Sequence, residues 1–367
     1  MTGRTVGPSL ADRIALHKRY WDREPLPYPP ASFRVGDYFV SRQFDAARSL
    51  LVQNKQITPE MLTVEDFVPD YERMFAGTEE LGQDAFWTAE PFTGIPWMEA
   101  ILGCEIYANE ESFSSKPWMT SLDELEKIKV DASNPWFLKY LEFTRRLAEL
   151  GKGRFTVGMP IMRGPSDMVG AIMGQTEMIF ALADEPETMK TFFLKVTEAF
   201  LSVQREQKKL IPAFHGGSCL GFYHVFCPGT SIWFQEDLSA IMSPEMYGEF
   251  LDGPARRICR GHEYTAIHLH PASFFILDHL LANEGLRAIQ VNKDVGGPSV
   301  EEMLPYLKRI SEQKNLILWG DYSPAELDLL RKNLPARGLF FNCMMPTMDG
   351  AKEALACLRR WREPRNH

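Results

Sequence analysis

The runs TAIHLH (265–270), LRAIQVN (286–292), LILWGD (316–321) and GLFFNC (338–343) decide the fold. Each is short, rich in β-branched and large apolar residues, and stops at a polar residue or a turn. Helical patterns over 271–284, 299–313 and 323–335 separate them. Such alternation predicts a parallel sheet, because each parallel pair needs a crossover and a helix supplies it. Upstream, RFTVGMPI (154–161) and AFHGGSCLGF (213–222) read as two further strands, with helices expected over 121–151 and 186–210. SDMVGAIMG (166–174) opens another helix with Ser166 or Asp167 as cap. SPEMYGEFLDGPARRICRG (243–261) is one more, with Ser243 as N-cap and Pro244 at the first helical position. The fold class expected is α/β: a closed (β/α)8 TIM barrel over residues 86–367, with an N-terminal helical extension over 1–85 packed on it. An open doubly wound sheet is the alternative, but the glycine-rich dinucleotide fingerprint does not accompany it.

The composition narrows the function classes. The chain has 367 residues, 45% hydrophobic and 24% charged, and a net charge of -9 without a dense Lys/Arg cluster. That balance argues against a nucleic-acid partner or an anionic membrane surface. No apolar run reaches the length of a membrane-spanning helix, and the N-terminus lacks the apolar stretch of a secretory signal, so a cytoplasmic location is expected. The six cysteines stand at 104, 219, 227, 259, 343 and 357 with no CxxC pair. In a cytosolic chain they are expected as free thiols. Seventeen methionines and 12% aromatic residues suit a roomy apolar interior around a small-molecule substrate.

In a barrel, chemistry sits where strands run out at their C-terminal ends. The expected strand ends carry Arg163, the His268/His270 pair, Asn292, Asp321 and Cys343. Residues two apart on a strand project to the same side, so both imidazoles meet in one place and either chelate an ion or pack together. Asp237, in WFQEDLS, joins Arg163 and Asp321 as a candidate catalytic residue. Tyr223, His224 and Trp233, in a glycine-flanked aromatic loop, are candidates for a substrate-pocket wall, with Asn292 and Glu99 as polar contacts.

Three segments carry a family resemblance: GPSDMVGAIMG (164–174) followed by a long helix, DLSAIMSPEMYGEF (237–250), and WGDYSP (319–324). Over residues 90 to 360 the chain resembles the uroporphyrinogen decarboxylase superfamily. The resemblance implies a TIM barrel and one of two chemistries: cofactor-free tetrapyrrole decarboxylation, or zinc-dependent methyl transfer linked to a corrinoid. The decarboxylase branch has an Arg-rich N-terminal segment that YWDREPLPYPPASFRVGDYF (20–39) does not reproduce. Where its aspartate would stand, AEPFTGIPWMEAILGC (89–104) offers Thr93 or Gly94 with Glu90 and Glu99 nearby. The methyltransferase branch, similar to methylcobamide:coenzyme M methyltransferases, binds zinc through His-x-Cys at one strand end and a later Cys at the last. Carried onto this chain, the resemblance implies zinc at His268, His270 and Cys343, with His270 replacing one thiolate. A partner protein would carry the corrinoid, and the small substrate would be methoxylated or a thiol. A metal-free decarboxylase or lyase acting on a small aromatic or pyrrolic acid, and a non-catalytic ligand-binding barrel, are the alternatives.

Overall fold

A computed structural model of the chain describes residues 7–361. Eight strands in two parallel sets organise it: β1 (Ala31–Val35), β2 (Thr88–Ala89), β3 (Thr156–Val157), β4 (Ser231–Gln235), β5 (Tyr264–Leu269), β6 (Ala288–Asn292), β7 (Asn315–Gly320) and β8 (Leu339–Met345). Six of them form one curled sheet in the order β1–β8–β7–β6–β5–β4, with every neighbouring pair parallel. β2 and β3 form a parallel pair of their own. The expected eight-strand closed ladder is therefore continuous over six strands only. The joints to the other two are sparse: the Ala85 N–H reaches the Ala31 carbonyl at 3.2 Å. On its other side β3 meets the 218–227 segment and not β4: a Cβ on Gly158 would lie 2.3 Å from the Gly221 Cα, so two backbones touch there without room for side chains.

Several boundaries differ from expectation. β1 lies inside the expected helical extension yet pairs with β8, so that segment contributes a sheet strand as well as the helix Leu10–Trp21. The run 213–222 does not enter the sheet. Its residues Ser218–Leu220 form an antiparallel hairpin with Val225–Cys227. The turn between them closes where the His224 N–H meets the Gly221 carbonyl at 3.1 Å, and SIWFQ, as β4, takes the parallel place instead. The helix expected over 121–151 splits, because Asn134 caps the Trp136 and Phe137 N–H groups and Pro135 starts a fresh helix over Pro135–Leu150. Ser166 and Asp167 do not cap their helix, Pro165–Met173, which starts from Gly164. They lie in its first turn and tie it to the end of β4: the Ser166 N–H donates to Glu236 Oε2 at 2.7 Å, and Asp167 Oδ1 accepts from the Leu238 N–H at 2.8 Å. The helix expected over 243–261 breaks at Leu251 into Pro244–Phe250, capped by Ser243 as expected, and Asp252–Cys259.

Strand parity sorts side chains between the concave face and the helices. His268 stands opposite Gln290, and Asn292 opposite Trp319 and, one strand on, Asn342. The Asn342 amide donates to Ser32 Oγ and to the Tyr223 carbonyl (3.2 Å), so Ser32, Asn342 and the 220s loop close the concave side. No described helix is long and apolar enough to cross a membrane.

Candidate metal and substrate site

β5 delivers both imidazoles to one point just beyond the sheet. His268 is the second-last residue of the strand, and His270 follows its end in extended conformation, so the two-residue period survives the strand terminus. Their Nε2 atoms approach to 3.0 Å with ring planes perpendicular. Asp237, just past the end of β4, places Oδ1 at 3.7 Å from the His268 Nε2 and 3.8 Å from the His270 Nε2. The three residues form a cluster able to hold a metal ion, their donor atoms lying within 4.8 Å of one another.

The outer nitrogens are equally constrained. His268 Nδ1 meets Gln290 Oε1, which also accepts the Tyr223 hydroxyl at 2.9 Å. His270 Nδ1 meets the Asp294 carboxylate at 2.7 and 2.9 Å. Asn292 links the two halves, accepting from the Gln290 amide at 3.4 Å and donating to Asp294 at 3.0 Å. These acceptors require each Nδ1 to carry the proton, which leaves a lone pair on each Nε2. Two lone pairs 3.0 Å apart repel unless a proton or a cation lies between them.

Charge in the pocket follows from burial. Burial, and then the neighbouring His270, pull the His268 pKa down to about 4. For His270 burial acts downward as well, but the Asp294 hydrogen bond and the Asp237 charge outweigh it and raise the pKa. Burial, then the Asp237 charge, lifts Asp167 to about 6. Burial also raises Asp237, against the pull of His270 and Arg163. The two carboxylates share one amide, Gln235 Nε2, at 2.8 Å from Asp237 Oδ2 and 3.4 Å from Asp167 Oδ2. Burial holds Glu236 well above the usual carboxylate range.

Two imidazole nitrogens and a carboxylate oxygen are a donor set that zinc takes in catalytic sites, leaving a position open. Tetrahedral bonds of about 2.1 Å set ligand atoms about 3.4 Å apart, and the observed 3.0, 3.7 and 3.8 Å bracket that spacing. Each imidazole is also held from behind by an acceptor, as metal-ligating histidines are. The residues fit a divalent ion.

The other expected site residues divide. Cys343 does not join the cluster. Asn342 takes the concave-facing position on β8, so the next residue turns to the helix side, where Cys343 lies fully buried near Tyr322 and Asp321. Asp237, expected as a catalytic residue, lies beside the two imidazoles as the third member of the cluster. Asp321 is exposed, and only its backbone carbonyl is engaged, by Lys293 Nζ. Arg163 pairs with the fully buried Glu99 at 3.2 Å. It lines both a cavity of about 420 Å3 shared with Asp167 and Asp237 and a second of about 300 Å3 beside Tyr38 and Thr93. Tyr223 and Asn292 belong to the network behind the imidazoles. His224 does not: its Nδ1 accepts the Thr88 N–H at 3.0 Å and its ring lies against Trp87. Trp233 is buried behind Tyr223, with ring centroids 4.9 Å apart. Gln290, Asp294 and Gln235 escaped the sequence reading, and Asp167 entered it only as a helix cap; Gln235 ends β4 and Asp294 follows β6, whereas Gln290 lies inside β6 and Asp167 in the first turn of a helix.

No family model matches the sequence, and no curated protein is similar to it. Among solved structures, a methyltransferase from Methanosarcina mazei matches 94% of this chain and 98% of its own, with a TM-score of 0.61 at 14% sequence identity. At that identity the likeness is one of fold.

Proposed function

We propose that the chain is a metal-dependent methyltransferase. It would move a methyl group between a small methoxylated or thiol substrate and a corrinoid carried by a partner protein, with zinc held by Asp237, His268 and His270. The observation that carries this reading is the 3.0 Å approach of two Nε2 atoms whose Nδ1 atoms are both committed to acceptors. The fold shared with a protein named as a methyltransferase supports it, and closure of the two ladders as one (β/α)8 barrel belongs to the same reading. When bound, the divalent ion supplies Lewis acidity that lowers the pKa of a substrate hydroxyl or thiol.

The chain's own residues do the rest. Gln290 and Asp294 fix the two rings, and Gln235 orients the Asp237 carboxylate. Asp167, with its pKa near 6, holds or releases a proton beside Asp237 close to neutral pH. Arg163, paired with the buried Glu99, lines the cavity beside Asp167 and Asp237. Its pairing also counts against the metal-free decarboxylase alternative, which would use Arg163 on a substrate carboxylate.

The test is metal content by mass spectrometry on protein purified without chelator or affinity tag, for wild type and His268→Ala. Demethylation of methylcob(III)alamin is then followed by its visible spectrum. About one zinc per chain is expected, lost in the variant together with demethylation. A folded wild type that neither contains zinc nor takes it up on reconstitution refutes the reading.

A further inference from the structure

A cavity of about 310 Å3 lies between the C-terminal half of the helix Pro186–Lys209 and the sheet, remote from the imidazole pair. Its lining includes Gly229–Ser231, which lead into β4, and Glu263, which precedes β5. It therefore opens at the amino-terminal ends of the strands whose other ends carry Asp237 and His270. It shares no lining residue with the two cavities at that opposite mouth.

Most of its wall is apolar, with Val157, Met159, Ile211, Ile232 and Trp233 contributing. Several polar side chains line it as well, and two of them, Gln204 and Lys208, have no partner among the described residues. Gln204 is 3% exposed and makes no hydrogen bond to another described residue. Its neighbour Gln207, by contrast, donates to the Gly158 carbonyl at 3.1 Å. The Gln204 amide keeps access to solvent in the cavity, so its donors are open to a ligand atom there. Lys208 also lines the cavity and has no hydrogen-bond or ion-pair partner among the described residues. Burial draws its pKa down to about 8, so its ammonium stands to gain from an anion. Glu263, the carboxylate at the rim, is already held by the Thr230 N–H at 3.0 Å.

We propose that this cavity is a second small-molecule site. It takes a compact monocarboxylate with an aromatic or branched aliphatic body, whose carboxylate sits between the Lys208 ammonium and the Gln204 amide. A single cation with one amide matches a carboxylate, whereas a phosphate dianion would leave charge unmet against apolar walls. The volume is at the lower end of the roughly 300–1,000 Å3 of ligand pockets, which suits a one-ring acid.

Isothermal titration of the full chain with phenylacetate tests the site. Saturable binding at one site per chain is expected. Lys208→Met should weaken it about tenfold or more, the worth of a charge-assisted hydrogen bond. Phenylacetamide, of the same shape without the charge, should bind about tenfold more weakly than phenylacetate. Ala213→Trp, a substitution at an exposed lining residue, should close the entrance while leaving the fold intact by circular dichroism. His268→Ala should leave the affinity unchanged. Absence of saturable binding in folded wild type overturns the proposal. So does equal binding of the amide, or binding lost in His268→Ala but kept in Lys208→Met.

Discussion

Replacing Asp294 by alanine isolates the support behind the candidate metal cluster from the cluster itself. Asp294 touches none of the open Nε2 positions; it accepts from His270 Nδ1 at 2.7 and 2.9 Å and from Asn292 at 3.0 Å. Its removal frees the His270 ring to turn and leaves the Nδ1 proton without an acceptor. Removing such an outer partner typically costs 10–100-fold in metal affinity, about 1.4 to 2.7 kcal/mol. The upper half of that range is expected here, because two oxygens face the ring and no other carboxylate hydrogen-bonds to Nδ1. Asp294→Asn, which keeps an acceptor but not the charge, should fall between. The assay is competition for zinc against a chromophoric chelator, with thermal unfolding as control. Asp294 lies on the half-buried loop that follows β6, so the apo-protein Tm should move little. If Asp294→Ala binds zinc as tightly as wild type, the assignment of His270 as a supported ligand is wrong, whatever the metal content of the wild type.

Cys343→Ala should leave zinc content unchanged, because strand parity turns that thiol away from the imidazoles; loss of metal would show the register of β8 to be misread. Arg163→Met should destabilise by about 3 kcal/mol in urea unfolding, because it strands the fully buried Glu99 carboxylate; adding Glu99→Gln should recover most of the loss. Gly158→Ala should destabilise more than an ordinary surface change, since its Cβ would sit 2.3 Å from the Gly221 Cα; an unchanged Tm would mean that the contact between β3 and the 218–227 segment opens readily. His17 gives a pH signature. Its Nδ1 accepts the Phe226 N–H at 2.9 Å, and burial, then Arg13, depresses its pKa to about 3. The unfolded chain takes up this proton near pH 6.5 and the folded chain near 3, so the contribution is complete above about 6.5 and is lost as pH falls through that window. His17→Asn should flatten the slope of stability against pH by about one proton there; an unchanged slope refutes the assignment.

What was legible in the sequence follows the range of the interactions involved. The His268/His270 pair was legible because its geometry is local: two residues on one strand share a side whatever the rest of the chain does. The four late strands were legible for the same reason, since each carries its apolar run and its bounding helix within a few tens of residues. β1 was not, because ASFRV is five residues between a proline-rich connector and a glycine, and its partner β8 is some three hundred residues away. SIWFQ carries a weaker signal than the glycine- and aromatic-rich stretch 213–224 beside it, although SIWFQ supplies the parallel strand.

The misplacement of Cys343 has a sharper cause. Whether position 342 or 343 on the last strand faces the imidazoles depends on register, and a shift of one residue exchanges the two faces. Nothing in GLFFNC sets that register by itself. It is set across the sheet, by the pairing of Asn342 with Trp319 and Ser32 and by the Asn342 amide bonding back to the Tyr223 carbonyl. Once asparagine occupies the inward position, the third donor must come from elsewhere. The nearest strand end to supply one is that of β4, which lies directly beside β5 and is followed two residues on by Asp237. A carboxylate thus stands where the resemblance placed a thiolate. On the proposed reading, that exchange would make the cluster a harder set of donors and would favour an oxygen-bearing substrate over a thiol as the group activated there.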